Sequence, residues 1–268
     1  MEVSNRLLPL ALSDACLKLA RRNLKLQSMN AIGVIPARLA STRLPRKMLR
    51  LIGGEPLLAL VYRAVRQSPL LNDVIIATDS EEIMGFCRQP GWNASMTSAS
   101  HQNGTERVQE IAQFTAADVY VCVQGDEPLT RPEHIRALLD VMTSDVQVGT
   151  LKVVAGEMDV RNPHAVKVVT DRTGRALYFS RATIPFDRDL TQKAIYYKHL
   201  GFYAYRKQAL DRFVSWPEAT LERIERLEQL RFLENNVPIY VAETAYDTVG
   251  VDTEEDVKRV EAILSGKR

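Results

Sequence analysis

One segment of the chain concentrates the residue types that bind phosphate. Residues 36–47 read PARLASTRLPRK, which places four cations and two hydroxyl side chains within twelve positions. Backbone N–H groups in such a loop can face a phosphate while Arg and Lys neutralise its charge. A solvated basic loop is the alternative, but cations placed directly after a buried strand repel one another unless an anion lies among them. The segment therefore predicts an anion-binding site.

Two acidic segments carry the complementary chemistry. Residues 123–128 read VQGDEP, and residues 250–256 read GVDTEED. Carboxylates such as Asp126 and Asp252 suit Mg²⁺, which usually takes one or two of them and completes its shell with water and phosphates. The alternatives are that Asp126 caps a turn and that Asp252 or Thr253 caps the last helix. Distant carboxylates and a basic loop together are the parts required for nucleotidyl transfer.

A third candidate is a carboxylate in an apolar stripe. If residues 219–234 form one helix, Ile224, Glu228 and Phe232 share a face, because they are spaced at i, i+4 and i+8. A carboxylate on such a face must be paired or must meet a polar ligand. Glu228 is therefore a candidate binding residue.

The elements that must position these residues follow from the apolar pattern. Residues 31–35, 74–77 and 119–123 are almost continuously apolar, as strands buried on both faces are. Helical patterns at 55–68, 81–88 and 105–114 alternate with them, which predicts a parallel sheet with right-handed crossovers. Ligands of such sheets bind beyond the carboxyl ends of the strands. The basic loop and VQGDEP both lie at such ends.

The middle of the chain has a different character. Strand patterns at 148–154, 165–169, 176–180 and 200–205 lack long helices between them, which predicts a mixed sheet or a strand-rich insertion at about 148–205. Further helices are predicted at 207–215, 219–234 and 254–264, with Thr253 as a cap, and from a capping box at Thr130 to about Met142. We interpret residues 29–268 as one α/β domain. Residues 1–28 are either a dispensable extension or an amphipathic helix that docks on the domain or a partner.

Composition excludes several classes of protein. The 268 residues are 46% hydrophobic and 25% charged, with a net charge of +2, which gives no electrostatic argument for nucleic acid or an anionic membrane. No apolar run is long enough to insert in a membrane. Cys16, Cys87 and Cys122 contain no C-x-x-C pair, which favours reduced thiols and a cytoplasmic location. Neither a dinucleotide-binding glycine motif nor a P-loop is present, and no His pair has zinc spacing.

Nine segments in order resemble one family. They are IPARLASTRLPRK, VIIATD, HQNGTER, VQGDEP, NPHAVKVV, ALYFSRATIP, KHLGFYAYR, LERIERLEQLR and VGVDTEED. From about residue 31 to residue 264 the chain resembles the 3-deoxy-manno-octulosonate cytidylyltransferases, or CMP-Kdo synthetases. The resemblance implies an α/β fold: a single glycosyltransferase-A-like nucleotidyltransferase domain with a mostly parallel central sheet, helices on both faces and the strand-rich insertion.

The resemblance also implies an activity and its setting. The expected reaction transfers CMP from CTP to the anomeric hydroxyl of 3-deoxy-manno-octulosonate (Kdo), giving CMP-Kdo and pyrophosphate for lipopolysaccharide biosynthesis. The expected cofactor is Mg²⁺, and the expected assembly is a cytoplasmic homodimer. Two alternatives stay open. The substrate could be a related acid sugar, such as 8-amino-Kdo or a sialic-type acid, or the chain could be an inactive nucleotide- or sugar-binding module.

Site residues carried over by position fall into groups. The triphosphate and part of the cytidine are expected to contact Ala37, Arg38, Ser41, Arg43 and Lys47. The base pocket is expected to comprise Thr78, Asp79, His101, Gln102, Asn103, Gly104 and Thr105, with Gln124 also touching the nucleotide. The metal ligands are expected to be Asp126 and Asp252. The acid sugar is expected to contact Arg181, His199, Tyr203, Glu228 and Gln229. The expected catalytic residues are Arg38, Arg43, Lys47 and Asp126.

Three positions depart from the family pattern. Members commonly have Gly before the lysine of the phosphate loop, where this chain has Arg46. Asn103 stands where Ser is usual, and Ala204 where Gly is usual. None of these changes removes a charged ligand, so we expect activity to survive.

Overall fold

A twisted sheet with helices on both faces forms the body of the chain. The computed structural model describes residues 22–41, 43–189 and 194–266. The strands are β1 (Ala31–Ala37), β2 (Leu51–Ile52), β3 (Glu55–Pro56), β4 (Asp73–Thr78), β5 (Ala94–Met96), β6 (Val119–Val123), β7 (Val148–Val154), β8 (Lys167–Thr170), β9 (Ala176–Ser180), β10 (Tyr197–Tyr205) and β11 (Ile239–Glu243). The helices are α1 (Leu57–Arg66), α2 (Glu81–Arg88), α3 (Gly104–Phe114), α4 (Pro132–Val141), α5 (Glu157–Arg161), α6 (Lys207–Ser215), α7 (Thr220–Glu225), α8 (Leu230–Glu234) and α9 (Glu254–Leu264).

The order of strands across the central sheet is β11-β7-β10-β6-β1-β4-β5. The neighbours β1–β4, β1–β6, β4–β5 and β7–β11 are parallel, whereas β10 is antiparallel to both β6 and β7. This confirms the α/β fold with a mostly parallel central sheet. In the strand-rich segment, β7 and β10 lie within the central sheet, and β8 and β9 form a hairpin beside β10. The limits of the domain and of the insertion stay predictions.

Two apolar layers cover the sheet, one on each face. Ile35 of β1 packs in the layer that contains Leu58 of α1 and Leu138 of α4. Its neighbour Val34 packs in the other layer, with Val108 of α3. Successive side chains of a strand point to opposite faces, so a strand covered on both sides must be apolar throughout. This is the physical reason for the continuous apolar runs.

Most predicted elements are found close to their predicted bounds. The strands β6, β7 and β9 and the helices α2 and α9 match the predictions, and Thr253 caps α9 by accepting a hydrogen bond from the Asp256 N–H. Helix α4 also begins where expected. Its predicted cap is wrong, however, because the Thr130 hydroxyl donates to the Glu127 carbonyl at 2.7 Å and the His134 ring accepts from the Arg131 N–H. The Thr130 hydroxyl is thus engaged in closing the preceding turn.

The predicted helix at 219–234 is wrong. The chain leaves helical conformation at Arg226, which has φ 55°, and a turn separates α7 from α8. As a result Ile224 is 71% exposed while Phe232 is 1% exposed, so the two do not share a face. Glu228 lies in the turn between the two short helices.

A contact from a distant segment accounts for this break. The Arg181 guanidinium donates to the backbone carbonyls of Glu225, at 2.7 Å, and Arg226, at 3.3 Å. In a continuous helix these carbonyls would accept from N–H groups four residues later. The apolar spacing of residues 219–234 cannot indicate that a hydrogen-bond donor 44 residues earlier in the chain, Arg181, competes for these carbonyls.

The segment before β1 is in contact with the domain. Residues 22–28 are helical, and Leu26 is 3% exposed within the core layer of α1 and α4. Arg22 pairs with Asp140 at 2.8 Å, and Arg136 donates to Asn23 at 2.9 Å. These contacts favour docking on the domain for residues 22–28. Residues 1–21, including Cys16, lie outside the described residues, and whether the whole extension is dispensable stays a prediction.

Truncation of Leu26 tests the docking. We expect Leu26→Ala to lower the free energy of unfolding by about 2 to 5 kcal/mol, because it leaves a cavity in the core. Leu24 lies on the same helical segment but is 65% exposed, so Leu24→Ala should change the same quantity by less than about 0.5 kcal/mol. Urea unfolding of the full chain measures both. Equal small effects would show that the segment is not part of the folded core.

The described residues include no helix that is both long and apolar enough to cross a membrane. Cys87 and Cys122 are buried free thiols.

Candidate active site

A polar cavity of about 220 Å³ opens beyond the carboxyl ends of β1 and β6. In the sheet Ala37 is in register with Thr78, and Val34 with Cys122, so the loops after β1, β4 and β6 emerge at one edge. Most of the predicted site residues line the cavity, namely Ala37, Arg38, Ser41, Arg43, Lys47, His101, Gln102, Asn103, Gly104, Gln124, Asp126 and Asp252. The topology therefore gathers segments that are far apart in the chain.

Lys47 joins the basic loop to both acidic segments. Its ammonium nitrogen lies 2.6 Å from Asp126 Oδ2 and 2.9 Å from Asp252 Oδ1, and Arg43 donates to Asp252 Oδ2 at 3.0 Å. Burial opposes the charged form of Lys47, but the two carboxylates outweigh it and raise its pKa. Burial likewise opposes the charged form of Asp252, and Lys47 and Arg43 outweigh it and lower the pKa of this carboxyl group.

Backbone and side-chain contacts hold the two acidic segments together. The Val251 N–H donates to the Asp126 carbonyl at 2.9 Å, and the Thr248 hydroxyl donates to Glu127 Oε2 at 2.6 Å. The two adjacent acidic residues thus have different roles. Asp126 lines the cavity, and Glu127 hydrogen-bonds the segment that carries Asp252. Burial raises the pKa of Glu127 to about 8.

Gly125 permits the basic and acidic loops to pack closely. A Cβ atom at this position would lie 2.9 Å from the Pro36 carbonyl oxygen and 2.7 Å from Met48 Sδ. Only a residue without a side chain fits between two such loops. A glycine is therefore required at this position of VQGDEP by the close approach of Pro36, near the end of β1.

The two carboxylates fit a magnesium ion as oxygen ligands. The described residues contain no group of three or more His, Cys, Asp or Glu side chains able to hold a metal, so a cage made of protein ligands alone is not found there. Asp126 and Asp252 nevertheless already converge on one cationic group, the Lys47 ammonium. Two oxygen ligands with remaining positions for water and phosphate match the way Mg²⁺ is usually bound.

The N-terminus of α3 forms the opposite wall of the cavity. Asn103 caps this helix by accepting from the Glu106 N–H at 2.9 Å, and a Cβ atom at Gly104 would lie 3.1 Å from the Gln124 amide. The first N–H groups of a helix carry partial positive charge and favour anionic ligands. His101 hydrogen-bonds Glu110, which fixes its ring beside the cavity.

Three predicted site residues lie behind this wall. Thr78 is fully buried at the end of β4, and Thr105 is buried with its hydroxyl 3.1 Å from the Tyr205 hydroxyl. Asp79 accepts from the Arg107 guanidinium at 2.9 Å, and Arg107 itself lines the cavity. We did not predict Arg107, although it ends the segment HQNGTER. Residues 101–105 of the same segment are predicted site residues, and this proximity in sequence is the signal that points to Arg107.

The predicted acid-sugar residues do not all come together. Glu228 lines a second cavity of about 550 Å³, which shares Gln102 and Asn103 with the first. Burial raises the pKa of Glu228 to about 7, and the Thr105 N–H points to its carboxylate at 3.5 Å. In the part of the chain that the structure describes, the other members of the group line neither cavity; they are Arg181, His199, Tyr203 and Gln229.

Two of those residues, Arg181 and His199, have hydrogen-bond partners within the protein. Besides Glu225 and Arg226, Arg181 donates to the Pro163 carbonyl at 3.1 Å, so its guanidinium binds three carbonyls from two backbone segments. The His199 ring lies 2.9 Å from the Thr150 hydroxyl, and burial lowers its pKa to about 3, so it is neutral. Contact between these residues and a sugar stays a prediction.

Known proteins similar to this chain are consistent with the site. A family model described as Cytidylyltransferase matches residues 32–242. A 3-deoxy-manno-octulosonate cytidylyltransferase from Koribacter versatilis is 65% identical over 90% of this chain and 92% of its own length. Another, from Acidobacterium capsulatum, is 57% identical over 89% of this chain and 98% of its own length.

The chain belongs to the 3-deoxy-manno-octulosonate cytidylyltransferase family.

Solved structures agree with this membership. A CMP:2-keto-3-deoxy-manno-octonic acid synthetase complexed with CTP superposes with a TM-score of 0.84 at 38% identity, covering 89% of this chain and 100% of that one. An inositol-1-phosphate CTP transferase from T. maritima has a TM-score of 0.64 at 11% identity over 89% of this chain and 96% of its own, which shows the fold alone. The nucleotidyltransferase-like fold is confirmed.

The departure at Arg46 falls on a strained part of the backbone. Arg46 has φ 55° and ψ 34° and immediately precedes the single turn of 3₁₀ helix at Lys47–Leu49. This left-handed region is unfavourable for a residue with a Cβ atom, and glycine adopts it freely. Arg46 also pairs with Glu82 of α2. A glycine at this position would adopt the conformation without strain.

Two substitutions separate the backbone effect from the ion pair. Arg46→Ala and Arg46→Gly both remove the pairing with Glu82, but only the second relieves the left-handed strain. We therefore expect the Gly variant to be more stable than the Ala variant by about 1 kcal/mol in urea unfolding. An Ala variant as stable as the Gly variant would show that this conformation is not held in solution.

Proposed function

We propose that the chain is an Mg²⁺-dependent 3-deoxy-manno-octulosonate cytidylyltransferase. CTP and Kdo would give CMP-Kdo and pyrophosphate. The observation that carries the proposal is the meeting of Lys47, Asp126 and Asp252 in the cavity beyond the parallel strands. Family membership supports the choice of CTP and Kdo.

The cavity residues have separate tasks in this reaction. Arg38, Arg43 and Lys47 would neutralise the triphosphate and stabilise the charge that develops on the departing pyrophosphate. Asp126 and Asp252 would hold Mg²⁺, which supplies charge stabilisation to the phosphate oxygens. The anomeric oxygen forms a bond to the α-phosphorus as the bond from that phosphorus to the pyrophosphate oxygen breaks. The hydroxyl proton leaves to solvent or a nearby base, and no covalent enzyme intermediate is needed.

The second cavity is proposed as the sugar site. It adjoins the nucleotide cavity through Gln102 and Asn103 and presents Glu228 at its wall. A carboxylate in a partly dehydrated wall can accept hydrogen bonds from sugar hydroxyls. Positioning of sugar and nucleotide in adjoining cavities would account for much of the rate.

We further propose a cytoplasmic homodimer whose product is used in lipopolysaccharide synthesis. The buried free thiols Cys87 and Cys122 are compatible with a reducing compartment. Exposed apolar side chains in the strand-rich segment support a contact there with a second copy; they include Met158, Leu177, Phe186 and Ile195. Sedimentation of the wild-type chain and Phe186→Asp tests the dimer. A monomeric wild type would contradict it.

Pyrophosphate release from CTP tests the activity. We expect release with Kdo and Mg²⁺, and little with UTP in place of CTP or without a divalent cation. A panel of eight- and nine-carbon acid sugars, including 8-amino-Kdo and a sialic-type acid, determines the sugar. Faster pyrophosphate release with another sugar than with Kdo would identify that sugar as the substrate. No release with any sugar, despite CTP binding, would favour an inactive binding module.

A further inference from the structure

Lys47 occupies the point at which the two acidic segments converge. Its ammonium nitrogen lies within hydrogen-bonding distance of one carboxylate oxygen from each of Asp126 and Asp252, and its side chain is only 11% exposed. The distance between Asp126 Oδ2 and Asp252 Oδ1 therefore cannot exceed the sum of the two hydrogen-bond lengths, which are 2.6 Å and 2.9 Å. With Arg43 on the second oxygen of Asp252, the formal charges of the cluster cancel.

A divalent cation and this ammonium cannot share that position. Mg²⁺ binds carboxylate oxygens at about 2.0 to 2.1 Å, and an ammonium directly on the same oxygens would strongly repel it. A cation that binds both carboxylates therefore requires Lys47 to move. The lysine side chain is long and flexible, and the cavity beside it is lined by Arg38 and Arg43, the groups suited to a triphosphate.

We propose that Lys47 is the resident counter-ion of the metal site in the nucleotide-free protein. It exchanges the two carboxylates for triphosphate oxygens, which frees Asp126 and Asp252 to hold a divalent cation. The inference rests on the proposed function for the identity of the triphosphate. It adds that binding of metal and nucleotide is coupled through one side chain, so each raises the affinity of the protein for the other.

The coupling follows from electrostatics within the cluster. Without nucleotide, displacement of Lys47 would leave its ammonium partly buried and without an anion, which is unfavourable. A bound triphosphate removes this penalty because it supplies new anionic partners. Metal binding before nucleotide binding is therefore disfavoured by the same contacts that hold Lys47 in place.

Mn²⁺ binding to the full chain without nucleotide or sugar provides the test. Electron paramagnetic resonance measures free Mn²⁺ in titrations of wild type, Lys47→Met and Lys258→Met. Lys258 is an exposed lysine of α9, so the control loses the same positive charge elsewhere. We expect Lys47→Met to bind Mn²⁺ about 10- to 100-fold more tightly than wild type, and Lys258→Met to match wild type. Lys47→Met/Asp126→Asn should lose the gain.

Thermal unfolding supplies a second readout that also checks folding. Lys47→Met leaves two carboxylates without their shared cation, so its Tm should fall, and Mn²⁺ should restore it at concentrations that leave the wild-type Tm unchanged. Lys47→Gln serves the same purpose if the Met variant does not fold.

Several results would overturn the inference. Equal Mn²⁺ affinity of wild type and Lys47→Met would show that Lys47 does not compete with a metal, and so would a gain that survives Asp126→Asn. Neither measurement involves turnover. A wild-type chain that releases no pyrophosphate would therefore refute the proposed function while leaving the competition between Lys47 and Mn²⁺ measurable.

Discussion

Replacing Asp126 by Asn is expected to lower pyrophosphate release by about 10²- to 10³-fold or more while the chain stays folded. The amide has nearly the shape of the carboxylate and retains an oxygen that can accept from Lys47, whose ammonium now lies 2.6 Å from Asp126 Oδ2. It loses the negative charge, however, and with it half of the charge available to a divalent cation at the site. The effect therefore falls on chemistry more than on folding.

The measurement is initial-rate pyrophosphate release at saturating CTP and Mg²⁺, with the circular dichroism spectrum and Tm as checks on the fold. Asp140→Asn is the matched control, since Asp140 of α4 pairs with Arg22 of the segment before β1 and does not line the cavity. We expect the control to keep wild-type turnover. Undiminished release by Asp126→Asn would remove this residue from the reaction.

Replacing Glu228 by Gln is expected to impair use of the sugar much more than binding of CTP. Hydrogen bonds to a charged group contribute about 1.5 to 3 kcal/mol, so kcat/KM for the sugar should fall about 10- to 100-fold. Glu228 lines the second cavity rather than the cavity with Lys47, so the dissociation constant for CTP should stay close to that of wild type. Equal losses for sugar and CTP would show that the sugar site lies elsewhere.

The same substitution should change stability in a pH-dependent way. Burial raises the pKa of Glu228 from 4.5 to about 7, so the folded chain holds this proton more tightly than the unfolded chain does. Ionisation therefore destabilises the wild type as pH rises from about 4.5 to 7, whereas Gln cannot ionise. Glu228→Gln should equal wild type near pH 4 and exceed it by up to about 3 kcal/mol at pH 8.

Urea unfolding of both chains between pH 4 and pH 8 measures this difference. Glu255→Gln is the control, because Glu255 is exposed on α9 and its substitution should leave the pH profile unchanged. A constant difference between wild type and Glu228→Gln across this range would mean that the carboxylate is not held in a dehydrated wall. If Glu228→Gln is more stable than wild type but uses the sugar less well, the Glu228 carboxylate destabilises the fold and is needed for sugar binding.

The strands and the cationic loop after β1 could be predicted from sequence because both depend on neighbouring residues. A strand buried on both faces must be apolar throughout, and 119–123 shows this pattern directly. The run of cations after β1 is likewise a local feature. The rule that ligands bind beyond the carboxyl ends of parallel strands then placed Lys47 and Asp126 at the same edge, where the structure also has them.

The sequence by itself thus determined the α/β class, most of its elements and the segments that we propose carry phosphate chemistry. Only the tertiary structure decided that Lys47 bridges Asp126 and Asp252, that β10 runs antiparallel between β6 and β7, and that Arg181 ends α7. Each of these features depends on atoms brought together from distant parts of the chain. The energy of each contact depends on where its partner lies in space, and spacing along the sequence does not encode that position. The local sequence pattern could therefore identify the residues but not their contacts.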